Sequence, residues 1–316
     1  MMRKLFVVMG LALALSWAAP AAADTILFNP EGTGAAGALT IDALDQAPGN
    51  ALAQDITVLT AFPGQQFTLN YQANLAAANL AGNQQFAQGD DGNFFTFAAV
   101  FGEQVDFAFG IPGVTPVTLL FSEAAGYPLN AFNMYATASA GSDLAGTGFT
   151  TGQLILSGHM VDLFENFTFE DTNPANAVPL DQINNDDYPG VTTLEGIGNA
   201  NIVIQIDFAD QGYFPGLNAG GTLTFAITNT SIFAPFTAAD PSAKFSSNAV
   251  ANADIDGVAS ADPINAWSGP NTVLNADANT SFNVVTQVPE PGLMTLLGMG
   301  VLGMAVQRRR GQNKKS

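Results

Sequence analysis

One histidine, His159, and no cysteine leave this chain with few groups for chemistry. His159 sits in LILSGHMVD, at the end of an apolar run, with Ser157 two residues earlier on the same strand face. Nucleophilic catalysis needs a nucleophile, a base and an orienting acid held together. Nothing around Ser157 has the G-x-S-x-G form of a nucleophile elbow. Zinc needs several His or Cys ligands, so His159 reads as structural. Oxygen donors are abundant by contrast, and calcium takes such donors from Asp, Asn and Glu. Three clusters qualify: Asp90-Asp91-Gly92-Asn93, Asp181 with Asp186 and Asp187, and Asp254-x-Asp256-Gly257. None completes the D-x-[DN]-x-[DN]-G-x5-E loop, and the same residue types also build ordinary turns. A carboxylate pair of the kind that hydrolyses glycosides is set by folding rather than by spacing. With 27 acidic residues, the sequence singles out none.

The charge is unevenly placed. Of 27 acidic and 8 basic residues, only Glu290 and only Lys244 break a simple rule. All other acids lie in residues 24–287, and all other bases lie in the two ends. A surface this acidic repels nucleic acid, whose phosphates attract Lys and Arg, and it repels anionic lipid. It suits solubility, with cations or carbohydrate as partners. Without disulfides the fold must rest on its core. The chain holds 24 Phe and is long enough for one large or two smaller domains.

The elements that would position these groups read as strands. Gln66–Gln72 alternates, with Phe67, Leu69 and Tyr71 on one face. Asn201–Ala209 places Ile202, Ile204, Ile206 and Phe208 on one face, and Thr222–Asn229 does the same with Leu223, Phe225 and Ile227. Further strands are expected at Asp24–Phe28, Ala38–Ile41, Asp55–Phe62, Val117–Phe121, Ala131–Ala138, Gln153–Val161, Glu165–Glu170 and Ser281–Val285. Phe94–Phe101 and Gln104–Phe109 read as a hairpin turning at Gly102-Glu103. The rings of Phe95, Phe97 and Phe101, and of Phe107 and Phe109 beside Val105, are assigned to the core. Asp42–Gln54 reads as a turn about Pro48-Gly49-Asn50, and Asn74–Ala81 as one or two helical turns, which alanine permits. Asp171–Asn201 reads as a long loop. No fixed repeat is present, which argues against a solenoid or propeller. Many short strands between Gly, Pro and Asn turns imply an all-β fold, an antiparallel β-sandwich or jelly roll.

The two ends read as processing segments. Arg3 and Lys4 precede the apolar run Leu5–Leu15, and Ala21-Ala22-Ala23 forms a small-residue cleavage site. Residues 1–23 therefore read as a signal peptide with a short signal helix, cut by signal peptidase between Ala23 and Asp24. At the other end Val288-Pro289-Glu290-Pro291 is followed by an apolar run, Leu293–Val306, and then Arg308, Arg309 and Arg310. That run is about 14 residues, roughly 21 Å as a helix, whereas a stable span takes about 20 residues. Arginine snorkelling and local thinning narrow the gap, and a temporary anchor tolerates it. Residues 311–316 are a polar tail.

Residues 288–310 resemble the PEP-CTERM sorting signal of exported Gram-negative proteins, matching in Val288, Pro289, Glu290 and Pro291, the apolar run and Arg308–Arg310. The resemblance implies transient anchoring at the inner membrane and recognition by an exosortase. The exosortase would remove the tail and release the protein to the envelope or exopolysaccharide matrix. Such tails also go by the name of an ice-binding-protein C-terminal domain, which describes sorting; ice binding would require a flat, regular Thr-rich face, and no such repeat is present. FNPEGTGAAG (28–37) followed by DALDQAPGNALA (42–53) also resembles flocculation-associated members of that group. The expectation is an exported, non-enzymatic surface or matrix protein linked to exopolysaccharide, biofilm or flocculation. The alternative is a carbohydrate-binding module or polysaccharide-active enzyme on a jelly roll.

Overall fold

The computed structural model describes residues 24–56, 61–128, 130–180, 192–230 and 271–283. Both terminal helices expected above lie outside these residues. The strands are β1 (Ile26–Phe28), β2 (Leu39–Ile41), β3 (Ala43–Gln46), β4 (Gly49–Gln54), β5 (Gln66–Leu80), β6 (Asn83–Ala87) and β7 (Phe94–Phe109). They continue with β8 (Val117–Glu123), β9 (Ala131–Thr137), β10 (Gln153–Phe169), β11 (Val178–Pro179), β12 (Thr192–Thr193), β13 (Gly196–Ala209), β14 (Thr222–Thr230) and β15 (Asn271–Asn283).

Eleven strands form one sheet, and its ladder returns to its start. β5 pairs with β7, β7 with β8 and β9, both of these with β10, β10 with β13, then β14, β15, and β3 and β4, which pair back with β5. Every pairing is antiparallel. Closure removes the exposed edges that a sandwich would leave. Two staves are interrupted. β3 and β4 follow one another along β5, and β8 and β9 follow one another along β7. The expected all-β antiparallel architecture is present, and the two broad walls pack face to face as in a sandwich.

Alternation along each strand fills the interior. Phe225 on β14 lies 5.1 Å from the ring of Tyr71 on β5 and 5.1 Å from that of Phe132 on β9. Opposite walls thus meet ring to ring at the spacing aromatic pairs prefer. At one end, Phe28, Phe86, Phe95 and Phe214 close a second aromatic cluster. There Asn29 N donates to Tyr213 O at 2.7 Å, tying the first strand to the turn after β13.

Four local expectations are corrected. Asn74–Ala81 is not helical: β5 runs on to Leu80, where β3 and β6 flank it and bury Leu75 and Ala78. Tertiary pairing overrides the tolerance of alanine for helix. Asp42–Gln54 is not a simple turn but the interrupted stave β3/β4. Gly102-Glu103 is not a hairpin turn, because β7 passes straight through it. Gly102 is glycine because the ring of Tyr127, from the segment between β8 and β9, lies on it; a Cβ there would fall 2.1 Å from Tyr127 Cγ. Gln153–Val161 and Glu165–Glu170 are one strand, β10.

Candidate functional site

Register shifts interrupt the alternation at several places, and three of them move large side chains. In β7 the register slips between Val105 and Phe107, which pair with the consecutive residues Phe121 and Leu120. Asp106 is the extra residue, its carboxylate accepting from Ser122 Oγ at 2.8 Å. A single inserted residue switches every following side chain to the other face. Val105 is therefore buried, while Phe107 and Phe109 stand outside at 57% and 54% exposure, corrected from their core assignment. Their rings stack, with centroids 5.8 Å apart and planes 17° apart. In β13 the bulge is at Asp207, and it turns Phe208 out of the face it would share with Ile202, Ile204 and Ile206. In β10 the bulge at Val161 precedes Phe164, the most exposed ring of β10 at 63%.

The bulge at Asp207 also forms the polar pair that includes the lone histidine. His159 Nδ1 lies 2.8 and 2.9 Å from the two carboxylate oxygens of Asp207. Both side chains are on the outer wall and partly in solvent. Ser157 is on the same wall but makes no hydrogen bond to His159 among the described residues. The arrangement orients an imidazole but provides no nucleophile for it.

Inside the barrel there is one site that sequence reasoning missed. Glu103 on β7 and Glu165 on β10 both point inward, fully and almost fully buried. They flank β8, since Glu103 pairs with Glu123 and Glu165 with Phe121. Burial first, then the charge of the neighbouring Glu165, holds Glu103 well above the ordinary glutamate range. Two carboxylates cannot both ionise in an apolar interior, so the pair retains a proton. Beside Glu165 lies a cavity of about 30 Å³ among Phe67, Phe121, Phe167 and Leu274, room for about two waters and far too small for a sugar ring.

The calcium clusters fare differently. Asp90 Oδ2 accepts from Ala87 N at 2.8 Å and Asp91 takes a left-handed conformation, so this cluster builds the turn before β7. Asp90, Asp91 and Asn93 border a shallow groove with Asn29 and Glu31. Among the described residues no three acidic or histidine side chains converge as a metal site. Asp181, Asp186, Asp187, Asp254 and Asp256 lie outside the described residues.

The ends of the domain come together. Asp24 N, at the expected leader cleavage point, donates to Phe282 O on β15 at 2.9 Å. β15 ends at Asn283, a few residues before Val288. Among the described residues no helix is long and apolar enough to cross a membrane. Ala21, Ala23 and the tail residues Val288–Pro291 and Arg308–Arg310 lie outside those described.

Comparison with known proteins identifies the tail. Residues 287–310 match the PEP-CTERM protein-sorting motif, the family expected from the sequence for residues 288–310. The motif implies export, sorting to the cell envelope and processing by an exosortase. Neither the curated proteins nor the solved structures contain a match to the chain.

Proposed function

We propose that this is an exported, non-enzymatic protein of the cell surface or extracellular matrix. Its leader is removed by signal peptidase, and its tail holds it briefly at the inner membrane until an exosortase frees it into the exopolysaccharide-rich exterior, where it serves in biofilm or flocculation. The observation that carries the reading is the bond between Asp24 and Phe282. It sets the expected leader cut beside β15, whose described residues end at Asn283, ahead of the sorting motif in the sequence. Both cuts then fall outside the described strands in the sequence, so release leaves their pairings in place. Two features support a role in binding or matrix building over catalysis. The interior is filled by aromatic side chains, and its buried carboxylate pair adjoins space for water alone.

Deleting Val288–Ser316 tests this reading. The full chain should appear outside the cell with its tail removed, and should stay uncut with the membrane fraction in cells lacking exosortase. The truncated chain should lose that dependence. Release of the full chain unchanged by loss of the tail or of exosortase, or an intact chain with both ends uncut in the cytosol, would overturn it.

A further inference from the structure

The outer wall formed by β7, β8, β10 and β13 differs from the rest of the surface. One row across it runs Phe107, Leu120, Asn166 and Asn199. The next runs Phe109, Thr118 and Thr168, whose two hydroxyls bond at 2.9 Å. Phe164, paired with Asn201, flanks the first row. These rows hold exposed rings, amides and hydroxyls and no charged side chain. The domain around them carries nearly all of 27 acidic residues and one base.

We infer that this wall is a binding face for a neutral polysaccharide. Apolar C–H faces of sugar rings pack on aromatic rings, and sugar hydroxyls exchange hydrogen bonds with flanking amides and hydroxyls. The two rows carry no charge, Asp106 and Asp162 standing at their border, which fits a polymer without charge. Polyanions, and second copies of this acidic chain, are repelled by the surrounding carboxylates. The open face suits a polymer lying across the strands. The bulge at Asp106 creates the face, because unbroken alternation would turn Phe107 and Phe109 inward. The inference deepens the matrix reading, on which it rests for its place in the cell, yet it can fail separately.

The test uses the released protein and its full-length precursor in native gels containing hydroxyethylcellulose or dextran, with alginate as the anionic comparison. The neutral glucans should slow the protein, and alginate should not. The double variant Phe107→Ala with Phe109→Ala should weaken retardation about tenfold, the equivalent of about 1.4 kcal/mol for two lost stacking contacts. Phe208→Ala, an exposed ring at the far end of β13 where it pairs with Ser157 outside these rows, should leave it unchanged. Phe164→Ala serves as a second, single-site variant and should also weaken it. Unretarded wild-type protein in both glucans, or full retardation of the double variant, overturns the inference. So does a wild-type dimer in sedimentation that the double variant abolishes, because the face then takes a second copy. Tail processing of the double variant should be normal; a defect confined to processing would count against the sorting reading alone.

Discussion

Glu103 and Glu165 lie side by side, buried inside the barrel, on two strands that do not pair and are separated by β8. The side chains around them are apolar, with Phe67, Val105, Phe121 and Phe167 nearest along and across the strands. The remaining acid in register is Glu123, at the partly exposed end of β8. The folded state therefore holds a proton on Glu103 that the unfolded chain releases near the ordinary value of 4.5.

That sign fixes a pH dependence. The contribution of the pair is fully present below pH 4.5 and is lost as pH rises through the folded value of Glu103. Glu103→Gln keeps the shape and a donor toward Glu165 while removing the titrating group. Melting curves from pH 4.5 to neutrality should show wild type losing stability relative to the variant, at roughly 2–4 °C per kcal/mol. General repulsion among the surface acids is common to both proteins and cancels. Parallel curves would sink the idea.

Tyr71 carries a second buried polar group. Among the described residues its hydroxyl has no hydrogen-bond partner, and burial first, then Asp277, raises it well above the ordinary tyrosine value. Its ring, 5.1 Å from Phe225, contributes the packing. Tyr71→Phe should keep that packing and relieve an unpaired hydroxyl, raising stability by about 1 kcal/mol. Phe225→Ala removes the ring that joins both walls and should cost about 3–5 kcal/mol. Chemical denaturation measures both; a destabilised Tyr71→Phe would mean the hydroxyl has a partner.

Much of this architecture was legible as alternation. Ile202, Ile204 and Ile206, or Leu223, Phe225 and Ile227, fill the interior as their spacing predicts. What spacing does not encode is a single inserted residue. Asp106 and Asp207 look like any polar position in a strand, yet each reverses the face of the aromatics after it. Glu103 was readable in principle, because it shares parity with Phe97, Phe101 and Val105. Reading Gly102 as a turn concealed it, since the true reason for that glycine is the distant Tyr127. Closure of the sheet was not readable, because pairing of β5 with β7 and of β15 with β3 and β4 is a property of the whole chain.

Gly102→Ala tests that reason. The added methyl meets a ring within van der Waals radius, so Tyr127 must move, and with it the 2.5 Å hydrogen bond between Tyr127 Oη and Thr68 Oγ1. The expected loss is about 1–3 kcal/mol. The double variant Gly102→Ala with Tyr127→Ala should recover part of it, as contacting residues are non-additive. Purely additive losses would show that the glycine is needed for backbone conformation instead.

The last strand ties stability to release. β15 pairs with β14 along one side and with β3 and β4 along the other, so it closes the ring. It ends at Asn283, and Asp24 rests on Phe282, whose side chain is fully buried. A protein ending at Gln287 keeps every one of these contacts and should melt at the same temperature as the full chain. A protein ending at Ala278 loses the pairings of Asn279–Asn283 and the ring of Phe282, and it frees Asp24. It should lose at least about 3 kcal/mol from the buried ring alone and become sensitive to protease at both termini. If ending the chain at Gln287 also lowered the melting temperature, the barrel would depend on the segment that an exosortase removes, and cutting it would destabilise the product it releases.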